Sequence, residues 1–419
     1  METEILNNGI QLRYEKTDKF TRNNISVNFI LPLDETAARS SLLAAVMKHG
    51  CEKYPDMKSL SSFLEMNYGA QASISAMKRT ENMIFRFAFT FPDDIYTDGM
   101  PVTDNMLELI HEMIFNPLVN DGKFREEYVE MEKKNLIDSI HARINEKTSY
   151  ANSRCISLMC KDEPYAIDEL GTVEQVQALS GADIYEQYKK ILSESNIVVF
   201  AFGRFEKSLI KEKIMSFPCH SSGALIKKPV RKLVRQDVTR CVENDTMTQT
   251  KAVFGFRINA ESSENRAATI LFNTIFSSSP TSRLFMNVRE KMSLCYYCAA
   301  FIERAKGLML VYAGIEAKNS EKAENEILNQ LEKIKKRISK KEIDEAKIAA
   351  IDSLCQAADS PASLESFYLG SVVTGDDMTI ETLIERIKNT TSADIRKVAR
   401  SFSLDTVYIL QGQERTAEE

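Results

Sequence analysis

The chain has 419 residues, of which 43% are hydrophobic, and its 54 basic and 60 acidic side chains give a net charge of −6. This length exceeds one ordinary hydrophobic core and predicts two domains of about 200 residues each. The sequence contains no basic stripe of the kind that nucleic-acid binding needs, so nucleic acid is not an expected partner. The longest apolar runs are of strand length, which excludes a membrane-spanning helix.

The N-terminal sequence and the cysteines indicate the compartment. The first residues, Met-Glu-Thr-Glu-Ile-Leu-Asn-Asn-Gly, contain neither the basic nor the apolar region of a signal peptide. The eight cysteines are scattered along the chain and most lie in apolar segments, as buried reduced thiols do. We therefore expect a cytoplasmic protein.

The first half of the chain alternates β-prone runs with amphipathic helices. The predicted strands are 10–14, 25–31, 71–77, 82–91 and 196–202, and the predicted helices are 36–49, 57–67, 102–115, 124–145, 148–159, 173–178 and 182–192. Gly50 is expected to end the helix 36–49, and Asp56 and Ser180 are expected to be helix N-caps. One face of the strand 82–91 is entirely aromatic and must be covered by helices; its residues are Phe85, Phe87, Phe89 and Phe91.

The second half repeats this order after a polar, proline-containing segment. Residues 220–234 are predicted to link a domain formed by 1–219 to a domain formed by 235–419. Beyond the linker, the predicted strands are 251–258, 294–302, 308–315 and 406–410, and the predicted helices are 264–276, 281–291, 321–338, 341–369, 380–388 and 393–402. A break in the helix 341–369 is expected at Pro361.

The two halves also match residue by residue. The run Ser180-Gly-Ala-Asp-Ile184 recurs 211 residues later as Thr391-Ser-Ala-Asp-Ile395, and each run precedes a helix, a turn and a final apolar strand. This repeat predicts a duplicated domain. Strands in hairpins, separated by long helical runs, predict the α+β class: two homologous, sandwich-like α/β domains, each with an antiparallel-rich sheet covered by helices.

The segment 282–298 carries the strongest functional pattern. Leu284, Phe285 and Val288 form the apolar stripe of a helix, and the β-prone run from Leu294 predicts a strand after a turn at residues 292–293. Arg289 then lies at the helix end and Tyr296 early on the strand. A guanidinium fork and a phenol suit the binding of peptide carbonyls or of a developing oxyanion. The structural alternative is a helix-capping Arg and a packed Tyr.

The pair Cys295 and Cys298 lies in the same segment. The spacing of two intervening residues is shared with redox and metal motifs, but here it falls within a predicted strand rather than at a helix start. Residues i and i+3 of a regular strand point to opposite faces. The spacing therefore indicates packing and not redox or metal chemistry.

The pattern Arg283-Leu-Phe-x-x-x-Arg-Glu-Lys-x-x-Leu-x-Tyr296 resembles the C-terminal motif of the pitrilysin/insulinase family of metallopeptidases. These inverzincins include the mitochondrial processing peptidases. The resemblance implies a half-clamshell fold. It also implies that Arg289 and Tyr296 bind substrate and stabilise the transition state beside a zinc held by another domain. The turn 277–280, Ser-Ser-Ser-Pro, departs from the several glycines common in the family, which predicts a stiffer loop before the Arg289 helix.

The zinc motif of that family, His-x-x-Glu-His on a helix, is missing. The four histidines stand at 49, 111, 141 and 220, too far apart to pair on one helix. Alignment through Gly50 places Ser41, Ala44 and Ala45 at the His, Glu and His positions. Glu130 resembles the third ligand of the family. His111 precedes Glu112, but Phe115 replaces the second histidine of a zincin motif, so His111 is interpreted as a core histidine.

The resemblance therefore implies a non-catalytic, substrate-binding subunit of a zinc-dependent peptidase that processes or degrades peptides. Such a chain is expected to be inactive alone, to hold no cofactor, and to pair with a homologous subunit that carries the zinc motif. Unfolded peptides are the expected substrates, homodimers are possible for the isolated chain, and neither nucleic acid nor a membrane is expected as a partner. The alternative is a structural or peptide-holding relative without a role in hydrolysis. A self-sufficient homodimeric peptidase is disfavoured by the missing ligands.

Overall fold

The computed structural model of the chain describes residues 1–223, 226, 228–229, 231–232, 237–247, 249–258 and 265–412. Of the predicted linker 220–234, residues 224–225, 227, 230 and 233–234 lie outside the described residues. Among the helices of the described segments, none combines the length and the apolar character needed to cross a membrane.

The strands run in chain order as β1 Glu2–Ile5, β2 Gln11–Lys16, β3 Arg22–Pro32, β4 Gln71–Arg79, β5 Asn82–Pro92, β6 Val119–Asn120, β7 Lys123–Phe124, β8 Asn196–Gly203, β9 Thr239–Asp245, β10 Thr250–Ile258, β11 Cys295–Glu303, β12 Leu308–Ile315 and β13 Phe402–Gly412. The α-helices are α1 Ala37–Val46, α2 Met57–Met66, α3 Val102–Phe115, α4 Glu126–Asn145, α5 Lys147–Met159, α6 Val173–Gln177, α7 Gly181–Glu194, α8 Lys207–Met215, α9 Arg266–Asn273, α10 Ser320–Lys336, α11 Lys340–Ala358, α12 Pro361–Thr374, α13 Ile380–Asn389 and α14 Ser392–Ser401. Two π-helical segments, Thr274–Ser278 and Leu284–Lys291, follow α9.

The chain divides into two compact units, each discontinuous in sequence. Unit 1 comprises Met1–His141, Ile167–Lys228 and Asp359–Val373; unit 2 comprises Ala142–Ala166, Pro229–Ala358 and the chain from Thr374 onward. The passage from Lys228 to Pro229 falls within the predicted linker.

The sheets of the two units share one topology within the described residues. The strand order is β1-β2-β8-β3-β5-β4 in unit 1 and β11-β12-β10-β13-β9 in unit 2. Taken from its other edge, the second order, β9-β13-β10-β12-β11, repeats β2-β8-β3-β5-β4 strand for strand. Neighbouring strands are antiparallel except β2 with β8 and β9 with β13, which are parallel. The predicted fold class and the internal duplication are confirmed.

The repeated sequence run produces the same local structure in both halves. Ser180 accepts a hydrogen bond from the backbone N–H of Asp183 at the start of α7, and the Asp183 carboxylate accepts one from the backbone N–H of Ser180. Thr391 and Asp394 form the same capping box at the start of α14. Each box satisfies backbone donors that the first turn of a helix leaves open, which fixes where both helices begin.

The core of unit 1 lies beneath the aromatic face of β5. The four phenylalanines of that face are almost completely buried, and they share one hydrophobic cluster with residues of α1 and α3. Gly50 follows α1 and its 3₁₀ extension with a φ of 141°, and a Cβ there would lie 2.2 Å from the carbonyl oxygen of Tyr54. Only glycine fits this helix end, as the sequence predicts.

Each unit contains a helix from the opposite half of the sequence. Helix α5, from the first half, belongs to unit 2, where Ala151, Cys155 and Met159 pack into one cluster with residues of β10, β12 and β13. A Cβ on Gly255 of β10 would lie 2.3 Å from the sulfur of Met159, so the glycine makes room for α5. Helix α12, from the second half, belongs to unit 1.

Buried ion pairs hold these helices to their sheets. In unit 1, Glu365 of α12 is 2% exposed. Its carboxylate accepts hydrogen bonds from Nε and Nη2 of Arg86 on β5, at 2.7 and 2.6 Å, and from the hydroxyl of Ser26 at 2.7 Å. In unit 2, Arg257 of β10 donates to Glu163, just beyond α5, at 2.7 Å.

The charges around Glu163 stabilise its ionised form. Burial alone raises the pKa of this carboxyl, but its bonds with Lys306 and Arg257 outweigh burial and hold the pKa below its ordinary value. Arg257 also contacts Asp405 at 3.2 Å, so its buried charge has a second carboxylate. These pairs leave no member of the group with an uncompensated charge, which is the condition for burying ions.

The variant Glu365→Gln tests whether α12 depends on its ion pair. Removing one partner of a buried pair leaves an uncompensated charge, so the free energy of unfolding should fall by about 3–5 kcal/mol. Amide hydrogen exchange should accelerate first in α12. Urea unfolding measures the change in the free energy of unfolding, and mass spectrometry measures the hydrogen exchange in α12.

The matched control is Glu206→Gln, which removes an exposed ion pair with Lys16 in the same unit. Its stability should change by less than about 1 kcal/mol. Equal effects of the two variants, or unchanged exchange in α12 of Glu365→Gln, would contradict this role of the buried pair.

Candidate functional site

The three residues at the zinc-motif positions lie on α1 and cannot bind zinc. The hydroxyl of Ser41 donates to the carbonyl oxygen of Glu169 at 2.5 Å, and Ala44 is buried in the core of unit 1. Ala45 adds only a methyl group. Zinc sites in proteins use imidazole, thiolate or carboxylate ligands. Within the segments that the structure describes, no three His, Cys, Asp or Glu side chains are grouped so as to hold a metal ion.

The carboxylate that meets the end of α1 is Glu132 rather than Glu130. Glu130 is exposed on α4 and pairs with Lys133 at 2.7 Å. Glu132 instead lies 2.7 Å from Nε2 of His49, whose ring stacks on Tyr128 with the centroids 4.3 Å apart. The sequence placed His49 off the zinc motif and gave no role to Glu132, because the pairing joins residues 83 positions apart.

His111 lies on α3 among aromatic rings. Its ring centroid is 5.1 Å from that of Phe115 and 6.3 Å from that of Phe217. Phe115 is the residue that replaces the second histidine of a zincin motif. The aromatic surroundings agree with the interpretation of His111 as a packing residue.

Arg289 and Tyr296 lie on one helix–turn–strand element of unit 2. The π-helical segment Leu284–Lys291 buries Leu284 and Val288, and β11 follows after Met292 and Ser293. Ser293 takes a left-handed φ of 49°, and its N–H donates to the carbonyl of Arg289 at 3.0 Å. The turn is therefore held by its own backbone hydrogen bonds.

A β-bulge gives Tyr296 its orientation. Cys295 lies opposite Ile315 of β12 and Tyr297 lies opposite Gly314, so Tyr296 is the extra residue of β11. Bulges re-aim side chains in this way. Tyr296 is 62% exposed. Its phenol faces solvent from a strand that is fixed on both sides of the bulge.

The neighbouring Tyr297 has a structural role instead. Its hydroxyl lies 3.0 Å from the hydroxyl of Thr148 on α5, and burial raises the pKa of its phenol. Gly314 provides room for the ring, because a Cβ there would lie 2.5 Å from it. Of the two adjacent tyrosines, one joins β11 to α5 and the other is available to a ligand.

Arg289 is exposed at the end of its helical segment. Its guanidinium stacks on the Phe285 ring at 4.7 Å from the centroid and lies 3.5 Å from Glu290. Its charge also lowers the pKa of the Cys295 thiol, the residue before Tyr296. Arg289 thus lies near the bulge, and stacking on Phe285 orients its fork of donors.

The expectation that Cys295 and Cys298 point to opposite faces is wrong. The bulge inserts one residue between them, so both side chains are buried on one face of β11. They lie opposite Ile315 and Ala313, two residues apart on β12, which makes the two thiols neighbours on that face. The interaction between them and the charge of Arg289 lower the pKa of Cys295, whereas the same interaction and burial raise the pKa of Cys298 well above its usual value.

The loop before the Arg289 segment is fastened to β11. The Ser277 hydroxyl accepts a hydrogen bond from the backbone N–H of Ala300, and the Ser282 hydroxyl donates to the Ser277 carbonyl at 3.0 Å. Arg283 donates to Glu342 of α11 at 2.7 Å and to the Arg337 carbonyl at 2.8 Å. These contacts fix the segment that presents Arg289. The glycine-free loop is anchored, in line with the stiffness expected from its sequence.

Comparisons with known proteins agree with this architecture. The family described as peptidase M16 inactive domain matches residues 178–350. A Bacillus subtilis protein named probable inactive metalloprotease YmfF is 28% identical over 413 residues, which cover 97% of this chain and 96% of that protein.

Solved structures show the same fold. A conserved protein from Enterococcus faecalis superposes with a TM-score of 0.91 at 26% identity over 99% of this chain and 98% of that one. A peptidase M16 inactive domain from Pseudomonas fluorescens superposes with a TM-score of 0.81 at 15% identity over 99% of both chains. The family resemblance predicted from the sequence is confirmed: the chain is similar to inactive peptidase-like proteins of family M16, the family of pitrilysin and insulinase.

The zinc-motif positions predict the metal content of the isolated chain. A hydroxyl and two methyl groups provide no ligand set, so protein purified without chelator should carry far less than one zinc per chain. Elemental analysis after dialysis measures this, with a homologue that retains His-x-x-Glu-His purified in parallel. A full equivalent of zinc that survives dialysis would contradict the prediction.

Proposed function

We propose, on the premise that this chain resembles the inactive members of peptidase family M16, that it is a non-catalytic, substrate-binding subunit of a zinc-dependent metallopeptidase. Its partner would be a homologous chain that carries the zinc motif, and its substrates would be unfolded peptides. The chain would supply Arg289 and Tyr296 to the active site of that partner. It would have no peptidase activity alone.

One observation carries this proposal: the chain has lost the zinc-binding residues of the expected site but retains its substrate-binding Arg and Tyr. The zinc-motif positions hold Ser41, Ala44 and Ala45, so the metal chemistry has to come from elsewhere. Arg289 and Tyr296 are both present and exposed. The anchored loop, the turn and the bulge fix the backbone that presents them. An exposed Arg and Tyr on a rigid support suit a site that is completed by another chain.

The two side chains would act on the peptide that the partner cleaves. The partner would supply the zinc and the water that the metal activates. Tyr296 would donate its phenolic hydrogen to the oxyanion that forms on the attacked carbonyl. Arg289 would hold nearby peptide carbonyls with its planar fork of donors. Because the Phe285 ring and the bulge already orient both groups, little reorganisation would be needed during the reaction.

The alternative function is a structural or peptide-holding protein without a role in hydrolysis. This alternative also accounts for the fold and for the absence of zinc ligands, but it gives Tyr296 no role in catalysis. Co-expression with a homologous chain that carries His-x-x-Glu-His, followed by a fluorogenic peptide assay, separates the two. Chelator-sensitive turnover that needs both chains supports the proposal. Turnover that the zinc-bearing chain performs equally well alone favours the alternative.

The variant Tyr296→Phe tests the oxyanion role. Loss of one such donor should lower the kcat of the reconstituted pair by about 10²–10³-fold. The control is Tyr297→Phe, which removes a hydroxyl from the adjacent structural tyrosine and should leave kcat within about threefold, far below a donor effect. Thermal melts of both chains accompany the kinetics. A Tyr296→Phe effect no larger than that of the control would assign the phenol to packing.

The variant Arg289→Ala tests substrate binding. Because the guanidinium would hold the peptide in the ground state and more tightly in the transition state, KM should rise and kcat should fall. Arg289→Lys should restore only part of the loss, since an ammonium lacks the bidentate fork. The partner's zinc content should not change. Unfolding of the Arg289→Ala chain at ordinary temperature would instead show that the residue is structural.

A further inference from the structure

We propose that Cys295 and Cys298 form a dithiol site that small hydroperoxides oxidise to a disulfide. The two side chains are buried on one face of β11, opposite Ile315 and Ala313, which lie two residues apart on β12. The charge of Arg289 acts on the Cys295 thiol. This chemistry is separate from peptide hydrolysis and requires no partner chain. It follows from the irregularity in β11, because a regular strand would place the two sulfurs on opposite faces.

The surroundings assign different roles to the two sulfurs. The interaction between the two thiols lowers the pKa of Cys295 and raises that of Cys298, and the positive charge of Arg289 also favours the thiolate of Cys295. The thiolate is the reactive form of cysteine, and nearby cations promote it. Cys295, the more exposed of the two, is therefore the nucleophile, and Cys298, its neighbour on the same face, is the resolving thiol.

The reaction balances with the hydroperoxide as the only oxidant. The Cys295 thiolate attacks the terminal oxygen of the hydroperoxide, the O–O bond breaks, and the released alkoxide takes a proton to become an alcohol. The sulfur becomes a sulfenic acid. Cys298 then attacks this sulfur, the S–O bond breaks, and the hydroxide leaves as water with the Cys298 proton. Two thiols and one hydroperoxide give one disulfide, one alcohol and one water.

Access limits the oxidant to small molecules. Cys295 is 9% exposed, which leaves a path for hydrogen peroxide but not for a folded protein disulfide. Cys160 also has a guanidinium nearby, with Nη2 of Arg257 3.9 Å from its sulfur, but burial raises the pKa of its thiol to about 11. Cys219 is 5% exposed, and burial raises the pKa of its thiol to about 11. Because comparable burial alone suppresses the thiolate, Cys219 is an internal control for selective oxidation.

Oxidation would also affect the neighbouring Tyr296, a consequence that rests on the proposed function. A disulfide between residues 295 and 298 would close a covalent ring across the bulge and shift the phenol between them. A displacement of about 1 Å can cost two orders of magnitude in rate, so the oxidised chain should lower the turnover of the reconstituted pair by about tenfold or more.

The sequence provides a direct assay for the disulfide. Trypsin cuts after Lys291 and Arg304, and the peptide between them, Met-Ser-Leu-Cys-Tyr-Tyr-Cys-Ala-Ala-Phe-Ile-Glu-Arg, contains both cysteines. The full chain, with the exposed Cys355 replaced by serine, is reduced, treated with hydrogen peroxide, blocked with N-ethylmaleimide and digested. The oxidised peptide is two hydrogens lighter than the dithiol and takes up no maleimide.

We expect the 292–304 peptide to become oxidised at least about tenfold faster than Cys219 is modified, and dithiothreitol to reverse the change. In Cys298→Ser, dimedone should label Cys295 as a sulfenic acid, whereas Cys295→Ser should leave Cys298 unreactive. Arg289→Met should slow the oxidation. The proposal is overturned if the peptide stays reduced until Cys219 reacts, or if Cys295 is oxidised while Cys298 still takes up maleimide.

These experiments test the dithiol site independently of the proposed peptidase role. The mass measurement uses the single chain, so its result stands whether or not reconstitution yields activity. If the disulfide forms selectively but the chain never supports hydrolysis, the dithiol proposal stands and the proposed function is wrong. If the reconstituted pair hydrolyses peptides but the 292–304 peptide stays reduced, the proposed function stands and the dithiol proposal is wrong.

Discussion

A buried carboxylate requires a cation, and in both units this requirement joins a sheet to a segment from the other half of the sequence. Glu365 reaches Arg86 of β5 in unit 1, and Glu163 reaches Arg257 of β10 in unit 2. A purely apolar helix face can shift along a sheet at modest energetic cost. An ion pair in an apolar interior cannot shift, because either charge alone would be strongly destabilising. We regard these pairs as a constraint on the position of the two segments, 359–373 and 142–166, against the sheets of the units that they join.

The local constraint on the site is of a different kind, since it lies in the backbone. One extra residue in β11 turns Tyr296 toward solvent, places Tyr297 against α5 and brings Cys295 beside Cys298. The support for this bulge is distributed. Gly314 leaves space for the Tyr297 ring, Thr148 bonds its hydroxyl, and Ser277 binds the N–H of Ala300 further along the strand. Because this support is shared among several residues that never touch a ligand, no single contact, the Tyr297 hydroxyl included, holds the exposed phenol alone.

The sequence predicted those features that depend on neighbours along the chain. The helix starts at Ser180 and Thr391, the helix end at Gly50 and the break at Pro361 follow from capping, left-handed glycine and proline geometry, all within a few residues. Strands β1 and β9 were missed because both are edge strands with partly exposed, polar residues, and the partner of β9, strand β13, is also distant in sequence. The bulge at Tyr296 was missed because it depends on the register between two strands. Residue types do not show that one strand has an extra residue relative to its partner.

The changes at the lost zinc motif are physically consistent with one another. An imidazole or carboxylate on the buried face of α1 would need a metal or another partner, since burying an unpaired polar group costs several kcal/mol. Ala44 removes that demand from the buried face, and the hydroxyl of Ser41 is satisfied by the carbonyl of Glu169. Ala45, which is partly exposed, adds no polar group. Nearby, His49 and Glu132 satisfy each other. Helix α1 therefore packs as a core helix without a metal, and no ligand position remains as an unpaired polar group.

Arg289 and Tyr296 need no buried polar partner, because both side chains remain in contact with water. A burial requirement explains the residues found on α1, whereas it gives no reason for a large phenol to be held exposed by a bulge. That asymmetry is the physical ground for seeking a ligand at Tyr296.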